Sequence, residues 1–73
     1  MAFQVVELTV DEDGHVVERR AVPYPYPTRG EAVDTIESII TRSAEGGYEP
    51  EGDFWWAMDG NGKTRVRFII EGV

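Results

Sequence analysis

The chain has 73 residues, of which 41% are hydrophobic and 29% charged. That composition allows one small globular domain over residues 1–73 and excludes a separate catalytic lobe, a wholly disordered chain and a membrane span. Fourteen acids against seven bases give a net charge of -7, which opposes sequence-independent attraction to phosphate backbones or anionic lipid. Cysteine is absent, so disulfides, thiolate nucleophiles and sulfur-ligated metals are excluded. No basic segment followed by a long apolar run opens the chain, so it does not read as a signal peptide, and a reducing cytoplasm is the expected setting.

From Phe3 to Val10 the pattern alternates, with Val6, Leu8 and Val10 on one face and Phe3, Val5 and Thr9 on the other, the period of a strand. Asp11-Glu12-Asp13-Gly14 supplies a turn, and His15 to Val22 resumes an extended pattern, so the two runs predict a β-hairpin. A three-residue loop with a glycine bulge sets Glu7 against Arg19 and Val10 against Val16. A four-residue loop sets Glu7 against Glu18, which like-charge repulsion disfavours, so the first register is preferred.

Pro23, Pro25 and Pro27 alternate with Tyr24 and Tyr26, fixing φ and removing amide donors, so this stretch reads as a rigid extended connector. Its tyrosines are expected to pack over the sheet edge rather than to serve as a docking ligand, since PxxP and PPxY patterns are missing. Thr28-Arg29-Gly30-Glu31 matches a helix-capping box. Ala32, Val33, Ile36, Ile39 and Ile40 follow as one apolar stripe at helical spacing, opposite Asp34, Thr35, Glu37, Ser38, Thr41 and Arg42, so one face of the helix should be buried. Gly46-Gly47 reads as the helix stop, with Arg42 near the terminal carbonyls.

Tyr48 to Asp53 reads as a turn-rich re-entry. Phe54-Trp55-Trp56-Ala57-Met58 and Thr64 to Ile70 then flank Asp59-Gly60-Asn61-Gly62-Lys63 as a second hairpin. Thr64, Val66, Phe68 and Ile70 make a nearly apolar face, and Arg65 and Arg67 lead the other. With a Gly60-Asn61-Gly62 loop, Phe54 and Trp56 join the core while Trp55 and Ala57 stand outside beside Arg67 and Arg65. An Asn61-Gly62 type I′ turn exchanges the tryptophans. The predicted fold class is α+β in the order β-β-α-β-β, a four-stranded antiparallel sheet with one helix packed on one face.

Metal and catalytic signatures are weak. Neither Asp11-Glu12-Asp13-Gly14 nor Asp59-Gly60-Asn61-Gly62 has calcium-loop spacing, and plain turn chemistry accounts for both. His15 is the only histidine and has no second soft ligand for a metal site or a nucleophilic relay. Ser38 and Ser43 lie on the helix without a nucleophile elbow, and no carboxylate pair is specified. The expectation is a protein that is not an enzyme and uses no metal or cofactor.

The hairpin with its acidic-glycine turn, the proline-containing bend and the run from Thr28 to Ile40 resemble, over residues 4 to 40, the opening of the HicB-type antitoxin fold and of several small bacterial domains. The likeness is one of layout. It implies a bacterial partner-binding protein and assigns no functional residue here.

Charge segregation carries the functional expectation. Arg19, Arg20, Lys63, Arg65 and Arg67 supply five of the seven cations, all on or beside the second and fourth predicted strands. The leading reading is a non-enzymatic interaction module that binds a protein partner, or pairs as a homodimer, through the open sheet face. Its site residues would be Trp55, Arg65 and Arg67, with Arg19 beside them. The alternative is a ligand or single-stranded nucleic-acid binder using the same Arg and Trp residues as a stacking platform. The opposing possibility is that these arginines merely pair internally with neighbouring acids.

Overall fold

A computed structural model of the chain describes residues 2–58 and 64–72. Its elements are β1 (Phe3–Val10), β2 (Val16–Ala21), α1 (Arg29–Thr41), β3 (Glu45–Glu49), β4 (Phe54–Met58) and β5 (Arg65–Gly72). The class is α+β with one helix and an antiparallel sheet, as the patterning predicts, but the sheet has five strands, in the order β2-β1-β5-β4-β3. The element order is therefore β-β-α-β-β-β rather than β-β-α-β-β. The helix connects the two outer strands, so its path runs across the sheet.

The first hairpin keeps Val10 opposite Val16, but Glu7 faces Arg20 rather than Arg19. The pairing slips between Thr9 and Val10, leaving Val17 as the extra residue of a bulge, a common way to bend and blunt an edge strand. Its turn is held by Asp11, whose Oδ1 accepts from the amides of Asp13 at 3.0 Å and His15 at 2.9 Å. Gly14 takes φ +85°, the left-handed conformation that glycine adopts without steric cost.

The proline connector does more than cross over. Tyr26 lies between two prolines yet keeps its own amide. It exchanges backbone hydrogen bonds with Phe3 at 2.7 and 2.8 Å, continuing the line of β2 along β1. Tyr26 packs against the core, while Tyr24 is 73% exposed.

Thr28 caps the helix in extended conformation, with its hydroxyl accepting from the Glu31 amide at 3.2 Å. Ala32 and Ile36 are wholly buried against Val5, Trp55, Ala57 and Phe68, with Val33, Ile39 and Ile40 packed around them. This is the expected stripe.

The helix ends at Arg42 in right-handed conformation, its Nε donating to the Ser38 carbonyl at 3.2 Å. Gly46 and Gly47 are thus not the helix stop but part of β3, the strand the pattern misses. Glycine is needed at Gly46 for space: a Cβ there would lie 2.5 Å from Ile40 Cγ2 and 2.9 Å from the Trp56 carbonyl oxygen. Close approach between backbone and helix, not a positive φ, explains it.

Between β4 and β5, Trp55 pairs with Phe68, Trp56 with Arg67 and Met58 with Arg65. This is the register that goes with the Asn61-Gly62 turn; residues 59–63, Lys63 among them, lie outside the described residues. Among the described residues, no helix is long and apolar enough to cross a membrane.

Candidate functional site

The core fixes which face each strand residue occupies. Val5, Trp55, Ala57 and Phe68 meet the helix, so strand alternation puts Val6, Leu8, Val10, Phe54, Trp56, Met58, Arg65, Arg67 and Ile69 on the other face. The sequence-predicted Trp55 is therefore displaced from the site: it is 6% exposed and lies under the helix. Arg65 and Arg67 do stand on the uncovered face, and Trp56 takes the place beside them.

These groups are in contact. The Arg65 guanidinium lies 5.7 Å from the centre of the Trp56 ring, and that of Arg67 lies 5.0 Å from the centre of Phe54. Both are within the range where a cation is attracted to the negative face of a ring. With Glu49 they line a cleft of about 110 Å³. The cross-strand rows are Arg65, Met58, Glu45 and Arg67, Trp56, Gly47. Two cations on a central strand therefore look across the aromatic strand β4 to a glutamate-flanked edge.

Arg19 is on the same face but not in the same cluster. It lies three strands from Trp56, and its Nη2 donates to Glu71 Oε1 at 2.7 Å. Arg19 pairs with Leu8 and Glu71 with Gln4, so this bridge passes over Val6, which is 0% exposed.

Trp55 anchors a different arrangement at the start of the helix. Arg29 lies 5.6 Å from its ring centre, and the Tyr48 ring lies 4.8 Å away at an interplanar angle of 44°. Asp53, at φ +51°, accepts at one oxygen from the Tyr48 hydroxyl at 2.8 Å and from Arg29 at 3.2 Å. The hydrogen bond to Asp53 raises the Tyr48 pKa above its ordinary 10.0, with lesser contributions from desolvation and from the Asp53 charge and with the Arg29 charge opposing them. Neutral Tyr48 is thus the form that the fold favours, and the contribution fades only as pH rises through the raised value. The clasp ties the β3–β4 turn to the helix N-terminus.

Two further features have structural explanations. Asp11, Asp13 and His15 offer ligand atoms within 4.8 Å of one another, but Asp11 Oδ1 is already occupied by the two turn amides. A larger cavity of about 420 Å³ opens on the helix side between Ile39, Ala57, Val66 and Phe68, with Glu7 and Arg42 at its margin. Its end at Met58 and Thr64 borders the segment outside the described residues. Among the described residues no charged or polar side chain is buried.

Comparison with known proteins found no matching family, no similar curated protein and no similar solved structure, so the likeness to HicB-type antitoxins rests on layout alone.

Proposed function

We propose that the protein is a non-enzymatic, cytoplasmic interaction module that binds a carboxylate-bearing protein segment through the sheet face opposite the helix. The site residues are Trp56, Phe54, Arg65 and Arg67. The observation that carries this reading is the pair of guanidinium groups laid over two aromatic rings on the sheet face opposite the helix. Guanidinium forks match carboxylates in a bidentate fashion, and the rings beneath supply apolar contact around the ion pair. Leu8, Met58 and Ile69, all half-buried on this face, add the aliphatic surface that a protein partner covers and a phosphate backbone does not. The net charge of -7 weighs against nucleic acid, whose contact with proteins depends on long-range attraction. Stacked Arg and Trp side chains nevertheless favour, as a second reading, a nucleotide or short single strand.

The test follows the two indole N–H signals by NMR during titration with a glutamate-rich peptide carrying leucine, and separately with mononucleotides and a short single-stranded oligonucleotide. The peptide should move Trp56 and leave Trp55 in place, and Arg67→Ala should abolish the shift. A response only to the oligonucleotide, weakening steeply with salt, would transfer the site to the second reading. Silence of Trp56 towards every probe would remove both.

A further inference from the structure

Resting on the reading of this face as an interaction surface, we infer that its partner is a second copy of the same chain, packed face to face about a two-fold axis that runs along β4. The cross-strand rows carry the argument. An axis parallel to the strands and above β4 turns β5 of one copy onto β3 of the other, without displacing any residue along the strand. A residue of β5 therefore comes to lie over the residue that shares its row on β3.

Arg65 shares its row with Glu45, so in such a pair each Arg65 stands over the partner's Glu45. Arg67 shares its row with Gly47. Gly47 has no side chain of its own and the Trp56 indole lies against it, so the incoming guanidinium meets that ring, and Glu45 and Glu49, two residues to either side on the same face, flank it with charge. The Trp56 indole borders this place, since a Cβ on Gly47 would lie 3.4 Å from its Nε1. Each Arg67 thus enters a box made of one ring and two carboxylates, the chemistry that holds a cation.

On the axis itself Phe54, Trp56 and Met58 meet their own copies and form the apolar centre. Facing sheets stand about 10 Å apart, a gap that an arginine and a glutamate reaching from opposite sides can bridge.

Other symmetric arrangements on this face lose the match. An axis above β5 sets Arg65 against Arg65 and Arg67 against Arg67, and an axis across the strands lays β5 on β5 with its cations together. The arrangement is self-complementary in one setting, as an isologous interface requires.

The paired area spans only three strands, and both copies carry a charge of -7, so the dimer is weak. Its Kd falls between about 1 µM and 1 mM.

Sedimentation equilibrium of the full chain across that concentration range tests the inference, with three variants at exposed positions. Arg65→Glu and Glu45→Arg each place like charges together across the axis and should weaken the dimer at least about tenfold. The double variant R65E/E45R reverses both partners and should restore association to near the original level. A dimer indifferent to the single changes, or one that the double change fails to rescue, overturns the arrangement.

A chain that stays monomeric to 1 mM also overturns it, and the Trp56 signal then separates the two claims. If Trp56 still responds to the glutamate-rich peptide, the face binds another protein and only the self-pairing is lost. If it does not, the reading of the face falls as well.

Discussion

The two faces of the five-stranded sheet bury the valines of β1 equally well by different means. Under the helix, Val5 is 0% exposed because Ala32, Ile36 and Phe68 fill the space above it with apolar volume. On the other face Val6 and Val10 are 0% and 2% exposed although the helix lies on the opposite side of the sheet. There the cover is made of long side chains: the Arg19–Glu71 bridge passes over Val6, and the guanidinium groups of Arg65 and Arg67 lie on Trp56 and Phe54. Stems of charged residues cover apolar surface while their heads stay in water. A helix packed into the core is fixed once folding is complete. A guanidinium resting on a ring can exchange that contact for one with a partner, which is what the proposed binding through the arginine face requires, whereas the helix face is fixed by packing.

The sharpest way to test this contrast is to thin the helix side. Ile36→Ala removes a side chain at 0% exposure in the centre of the cluster and should cost about 2–5 kcal/mol, because the cavity closes only in part. Against a total stability of order 0.05–0.15 kcal/mol per residue, that loss is a large share of what holds the domain together. Urea denaturation should show a lower midpoint at unchanged slope. A loss below about 1 kcal/mol would mean that the helix is a loose cover, and the difference between the faces would disappear.

How far the sequence reveals each face follows from which residues carry a phase. The hydroxyl cap at Thr28, the stripe through Ala32 and Ile36, and the alternation of Arg65 and Arg67 with Val66 and Phe68 are all legible, since each fixes its own orientation. Phe54-Trp55-Trp56-Ala57-Met58 is apolar at every position, so it has no phase of its own and borrows one from a turn that two glycines permit to close in two ways. A one-residue difference there exchanges Trp55 and Trp56 between core and surface, which is why the arginines of the site are readable and its tryptophan is not.

β3 is hidden for another reason. Glycine pairs after a helix ordinarily signal a left-handed stop, whereas Gly46 serves steric approach. Gly46→Ala therefore distinguishes the two roles. Its Cβ would lie 2.5 Å from Ile40 Cγ2, and the crowding should cost about 1–3 kcal/mol. The cost should fall in an Ile40→Ala background, where the side-chain part of the clash is gone, and equal costs in both backgrounds would point back to backbone conformation.

On the arginine face the expected effects are smaller and depend on what is removed. Arg19 and Glu71 side chains are 56% and 43% exposed, so water screens their attraction, and a double-mutant cycle should give a coupling of no more than about 1 kcal/mol. The bridge must also be weaker in 1 M salt, where the screening length falls to about 3 Å. If the stem matters more than the charge, Arg19→Met retains most of the wild-type stability because an apolar chain still lies along Val6, while Arg19→Ala uncovers it and loses more. Glu71→Gln, which keeps its length and loses its charge, should resemble Arg19→Met. Were Arg19→Met and Arg19→Ala instead to lose the same amount, the charge would be the seal. High salt alone would then uncover Val6, and the amides of β1 would exchange faster with solvent in 1 M salt. Chemical denaturation of the three variants, with hydrogen exchange at Val6, therefore decides whether this face is covered by hydrocarbon or by an ion pair.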